Sequence, residues 1–288
     1  MQILFHLGAH CTDDGLLIRS ILKNRARLAD EGIGVPGPGR YRELLGEAST
    51  ALRGEPANEE IEDVLIEAIR DDDTAARIIL SSENFLCRPE VVLGPDGLYP
   101  KAQKSAWLRQ CLPSHDVEFA IAIRNPASFV PELLRSIGRD EDALDDVSIT
   151  DLLWSEAIAD MVVANPGCRI IAWCHEDTPF IWSEVISEMT GHDPFTEMDG
   201  EFDMLDKIMT PEGMSRLTEF LEARQVTNQS KRRRAVSAFL EAHAIDDAVE
   251  AEIDLPGWSQ DTVQMLTELY DDDVQRLVQM PEVTFISP

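Results

Sequence analysis

Four short apolar runs, at residues 2–7, 76–80, 117–123 and 169–173, each give way to a cluster of polar or reactive side chains. Between them lie stretches of helical periodicity. Leu16, Leu17, Ile21, Leu22 and Leu28 mark the first, and residues 59–70, 103–112, 128–138 and 149–165 continue the series. An apolar run bounded by turn residues reads as a strand buried on both faces. Strands that alternate with helices require right-handed crossovers and a parallel sheet covered on both sides. The pattern predicts an α/β fold in three αβα layers, with a central, mainly parallel sheet of about five strands.

After about Pro194 the strand signals fade, and residues 209–223, 230–243 and 258–279 read as helices before an extended 283–286. The expectation is one domain over 1–288, with an α/β core at 1–193 and a mainly helical C-terminal part at 194–288. The first helix is expected to run from Leu16 to about Glu31, where Gly32 and Gly34 stop it. The acidic runs 71–73 and 271–273 read as solvated turns or helix starts.

The chain carries 25 basic and 54 acidic residues, a net charge of −29. Such a field disfavours nucleic acid and anionic membrane as partners, and it admits an anionic ligand only where a local basic pocket overrides it. Five cysteines, at 11, 87, 111, 168 and 174, show no regular spacing, so no disulfide framework is expected. The start MQILFHLGAH lacks a basic region followed by a long apolar stretch, and no apolar run approaches the roughly 18 residues of a membrane span. These features predict a reduced, soluble, cytoplasmic protein.

In an open parallel sheet, ligands bind beyond the carboxyl ends of the strands. That rule selects residues 6–15, 81–84, 124–128 and 174–177. His6, His10, Cys11, Asp13, Cys174, His175 and Glu176 are metal-binding residue types at that edge. They show no HExxH-type spacing, so no metal is expected. Cys11 beside His10 is a poor nucleophile, since the neighbouring acids raise its pKa.

The stretch FHLGAHCTDDGLLIRSILKNRARLADEGIGVP resembles the opening of bacterial PAPS-dependent sulfotransferases, in which a strand, a GxxKTGTT-like loop and a helix run into Asn-Arg-x-x-Leu and Gly-Ile-x-x-Pro. His6, Gly8, His10, Leu22, Asn24, Arg25, Leu28, Gly32, Ile33 and Pro36 fit that framework. SSEN at 81–84, AIAIRNPASFVPELLRS at 120–136 and the closing LTELYDDDVQRLVQMPEVTFISP are similar to later family blocks. The resemblance implies a P-loop-type fold, the cofactor 3′-phosphoadenosine 5′-phosphosulfate (PAPS), and a small-molecule or carbohydrate hydroxyl acceptor.

Carried over residue by residue, the resemblance places donor binding on Gly8, Ala9, His10, Cys11, Thr12, Asp13, Asp14 and Gly15, together with Arg124 and Ser128. It makes Glu83, with His10, the catalytic candidate, because a hydroxyl that attacks sulfur must lose its proton to a base. This chain departs from the family at the loop. Cys11 stands where the lysine belongs, Asp13 and Asp14 stand for Gly and Thr or Ser, and Glu132 replaces the serine eight residues after Arg124. Asp13 and Asp14 are also good caps for the helix that follows. The resemblance offers the basic run Lys231-Arg232-Arg233-Arg234 as a segment that closes over a nucleotide phosphate, but the run lacks the family's Arg-Lys-Gly form and reads rather as a helix face bridging to acidic neighbours. Two functions are left open: sulfuryl transfer from PAPS with a divergent donor site, or a catalytically inactive binding or partner module on the same fold.

Overall fold

Side chains along each buried strand alternate between two separate apolar clusters, and this alternation holds the layers together. The computed structural model describes residues 1–70, 74–193, 195–226, 228–245 and 255–288. The acidic run at 71–73 lies outside them. Strands β1 (Gln2–His6), β2 (Ile33–Gly34), β3 (Arg77–Ser81), β6 (Asp116–Ile123), β7 (Arg169–Cys174) and β8 (Val283–Ile286) form one sheet in the order β2-β3-β1-β6-β7-β8. Every pairing in it is parallel. A separate antiparallel pair, β4 (Leu93–Gly94) and β5 (Gly97–Leu98), sits in the β3–β6 connection.

The helices are α1 (Leu16–Leu22), α2 (Arg25–Asp30), α3 (Arg42–Leu52), α4 (Glu59–Ile69), α5 (Ser105–Cys111), α6 (Pro126–Ser136), α7 (Trp154–Ala164), α8 (Thr178–Thr190), α9 (Asp203–Ile208), α10 (Pro211–Arg224), α11 (Gln229–His243) and α12 (Gln260–Val278). Leu4, Ile79, Ala120, Ala122, Ile171 and Trp173 pack against α1 and α8. Ile3, Phe5, Ile78, Leu80, Phe119 and Ile170 face the opposite layer, with residues of α3 to α7 and α12. Burial on both faces is why these strands read as unbroken apolar runs.

The α/β architecture agrees with the sequence pattern, and the differences have local causes. The sheet gains β2, two residues that pair beside Arg77 and Ile78 and are too short to leave a pattern. The single helix expected over 16–31 is two, since the chain breaks at Lys23 and Asn24, where Asn24 bonds to the Asp199 backbone through both side-chain atoms. The segment expected as helix from 149 begins as a short 3-10 turn, and α7 starts only at Trp154.

Asp271–Asp273 is neither a turn nor a helix start; it lies inside α12, and Asp273 is buried. The Asp273 carboxylate accepts from the Ser155 N–H at 3.0 Å and from the Ser155 hydroxyl, so α12 caps the first turn of α7. Arg276 stands 4.0 Å from the same carboxylate. Removing a buried charged acceptor strands its donors. Asp273→Ala is therefore expected to lower the unfolding free energy by about 2–3 kcal/mol in urea titrations. Asp271→Ala, exposed on the same helix, should change it by less than about 0.5 kcal/mol; equal losses would deny the carboxylate this role.

Candidate functional site

β1 is the point where the sheet changes direction. The chain runs from β1 outward to β2 and β3, then returns to β6 on the other side. α1 leaves β1 toward one face, whereas α6 leaves β6 toward the other. A crevice at the carboxyl ends follows from this wiring. The register sets His6 beside Ser81 and Ala120, and the loops after β1, β3, β6 and β7 meet there.

The 8–15 loop is built by positive backbone angles at Gly8 (φ 97°), Cys11 (54°), Asp14 (50°) and Gly15 (72°). A Cβ on Gly8 would stand 3.2 Å from the Glu83 Cβ and from the His10 nitrogen, so the close approach of the β1 and β3 loops depends on glycine there. The Gly8 carbonyl and the Ala9 N–H still pair with Ala122 (2.6 and 3.1 Å), which extends the β1–β6 ladder into the loop. The Thr12 hydroxyl donates to the Ala9 carbonyl at 2.7 Å.

At the start of α1, Gly15 offers no side chain, and the Asp13 carboxylate takes the cap. Its Oδ2 accepts the Leu17 N–H at 2.7 Å, while its carbonyl accepts the Leu16 N–H at 2.9 Å. Helix N-termini bind anions through such N–H groups, and here the anion is part of the chain. The Asp14 side chain makes no such cap; the Asp14 carbonyl accepts from the Arg19 guanidinium at 2.9 Å.

Asp13, Asp14, Gly15 and Arg19 line a cavity of 230 Å³ together with His6, Gly8, Arg42, Ser81 and Glu83. His6 Nδ1 is 2.9 Å from the Ser81 hydroxyl, and its ring stacks on Trp173. Burial lowers the His6 pKa, opposed chiefly by the charge of Asp13. The Arg42 Nε donates to the Ser81 carbonyl at 2.9 Å, and the buried Tyr41 hydroxyl closes the same turn by donating to that carbonyl and accepting the Ser81 N–H. Glu83 has its pKa raised, first by desolvation and then by Asp13 and Asp14, against a lowering by Arg42.

His10 is not among the residues lining that cavity. The buried His10 ring turns to Tyr99 and Asn84, with Nδ1 2.9 Å from the Tyr99 hydroxyl and Nε2 3.4 Å from Asn84 Oδ1. The Tyr99 hydroxyl accepts the His10 backbone N–H (3.1 Å) and so donates to Nδ1, which places the ring proton on Nε2 facing Asn84. Burial lowers the His10 pKa, so both nitrogens are committed on a neutral ring.

Arg124 links the loop after β1 to the start of α6. Its Nη1 donates to the Cys11 carbonyl (2.5 Å) and its Nε to the Ser128 hydroxyl (3.1 Å). Among the described residues no carboxylate stands within ion-pair distance of it. Glu132 pairs instead with Arg135 at 2.6 Å. The Cys11 thiol is pushed up to about 11 by burial, with its sulfur 3.9 Å from the Ser136 hydroxyl.

The β7 loop joins through His175 and Glu176. Burial and then Arg124 lower His175 to about 4, with Asp13 opposing. Glu176 accepts the Asn125 N–H at 2.8 Å and the Tyr270 hydroxyl at 3.0 Å, tying α12 to the site. Tyr41, Arg42 and Tyr99 carry this geometry without any sequence motif, and Tyr270 does so from within the closing block, where nothing singled it out. Among the described residues, no three His, Cys, Asp or Glu side chains are grouped to hold a metal ion, and no helix is long and apolar enough to cross a membrane.

The lowered His175 pKa carries a sign. The unfolded chain takes up a proton near pH 6.5 and the folded one only near pH 4, so stability present above 6.5 is lost as pH falls toward 4. His175 is expected to remain neutral to about pH 4 in an NMR titration, and His175→Gln should flatten stability across that window. An ordinary titration midpoint would refute the burial argument.

Solved structures similar to the chain include the following two. A sulfotransferase from Alicyclobacillus acidocaldarius aligns with 14% identity and a TM-score of 0.40, covering 83% of this chain and 94% of that one. Retinol dehydratase in complex with androsterone and the inactive cofactor PAP aligns with 11% identity and a TM-score of 0.33, covering 95% of this chain and 80% of that one. No protein-family model matches the chain, and no curated protein sequence does.

Proposed function

We propose that this chain is a binding module on a sulfotransferase-like α/β framework, without PAPS-dependent sulfuryl transfer. The observation that carries this reading is the Asp13 carboxylate seated on the α1 N-terminus. The residues present do not fit the donor. A phosphosulfate in the loop would displace Asp13 or sit beside it, and a carboxylate at about 4 Å from an anion repels it by roughly 1–4 kcal/mol. Glu83 and Asp14 add to that repulsion. Cys11 in place of a lysine withholds a charged hydrogen bond of about 1.5–3 kcal/mol. The guanidiniums nearby, Arg19, Arg42 and Arg124, are each drawn to a backbone carbonyl.

A second reading, an active transferase, is favoured by Glu83. A carboxyl with a raised pKa on a small cavity beside His6 and Arg42 suits a general base for an acceptor hydroxyl. It would take a small-molecule or carbohydrate acceptor and would need a donor held by other groups than the loop.

Calorimetry with the desulfated donor PAP separates the two. No heat is expected at millimolar PAP for the native chain, and measurable binding is expected once Asp13→Gly and Cys11→Lys are combined. Micromolar binding by the native chain, abolished by Arg124→Gln, would overturn the binding-module reading in favour of the transferase.

A further inference from the structure

The basic run on α11 divides between two faces. Arg233 is held by Glu184 of α8 through contacts of 2.6 and 2.7 Å, and Arg232 pairs with Glu201 at 3.1 Å while lying over the Phe202 ring. These two fasten α11 to the body. Lys231 and Arg234 point the other way and are exposed, as is Arg224 at the end of α10. Among the described residues, no carboxylate lies within 4 Å of any of the three, in a chain with 54 acidic residues. These three cations converge on one groove.

That groove, between α10 and α11, is open to solvent and has a volume of about 600 Å³. Its wall combines the three cations with Phe220, Ala238 and Phe239. Phe220 is 38% exposed, its ring is 5.8 Å from that of Phe239, and the Arg224 guanidinium lies 5.7 Å from its centroid. Lys231, Arg234 and Ala238, at i, i+3 and i+7, share one face of α11, and Phe239 stands at the edge of that face. An apolar floor with cations on its rim is complementary to a ligand that is apolar along its body and anionic at one end, and the volume falls in the range of small-molecule sites. The long-range field of the protein repels anions, so an anion that binds must be drawn by these local charges.

We infer that the α10–α11 groove binds a free anionic amphiphile, an alkyl carboxylate, with its tail along Phe220 and Phe239 and its head between Arg224, Lys231 and Arg234. The site is separate from the crevice at the strand ends and does not depend on the function proposed for it.

Dodecanoate below its micellar concentration, titrated by calorimetry into the full chain, tests this directly. One-to-one binding is expected, tighter by about tenfold than for the uncharged dodecyl maltoside, and absent for acetate. Arg224→Gln and Arg234→Gln should each weaken dodecanoate binding roughly tenfold, and Ala238→Glu should abolish it, with circular dichroism unchanged in all three. Because these residues are exposed, the variants should fold; if one does not, the native chain titrated with the three ligands decides the matter alone. Equal affinity for the carboxylate and the uncharged amphiphile would overturn the inference, as would affinities unmoved by the three substitutions. Sedimentation with phosphatidylglycerol vesicles in the absence of monomeric dodecanoate binding would overturn it in favour of a membrane surface.

Discussion

A single hydrogen bond, from the Leu17 N–H to the Asp13 carboxylate, governs the carboxyl edge of this sheet. Gly15 gives the chain the left-handed turn needed to enter α1 but no side chain with which to cap it. Asp13 supplies the missing acceptor from two residues earlier. The same charge reaches across the crevice, where it raises Glu83 and opposes the lowering of His6 and His175 by burial. The start of the helix and part of the electrostatics of its neighbours thus draw on one carboxylate.

The anchoring of Arg124 belongs to the same arrangement. In a crevice lined by phosphate ligands, a guanidinium would be kept for the guest. Here it bridges the loops after β1 and β6 by holding the Cys11 carbonyl and the Ser128 hydroxyl. The site is held from within, by contacts among its own loops.

What could be read from the chain followed from how far apart the interacting parts lie. The strands were legible because burial on two faces forces continuous apolar residues. Asp13 was legible because a cap and its helix are neighbours in sequence. Tyr99, which fixes the His10 ring from 89 positions away, was not, nor was the reach of Tyr41 to Ser81. Arg124 could be picked out as a residue, but its partner is a backbone carbonyl, which has no letter of its own. Asp273 misled for a related reason: three consecutive aspartates look solvated, and only the packing of α12 on α7 decides that one of them is buried.

The position of β8 has a bearing on how the molecule assembles. β7 ends at Cys174, yet the strand that covers its outer edge begins only at Val283. Until that segment is available, β7 presents a bare ladder of amides and carbonyls, the kind of edge on which other chains can nucleate aggregates. Closing so long an excursion is slow, because its entropy must be lost before any pairing energy is returned. Between translation of β7 and arrival of β8, that edge is open to pairing with other chains.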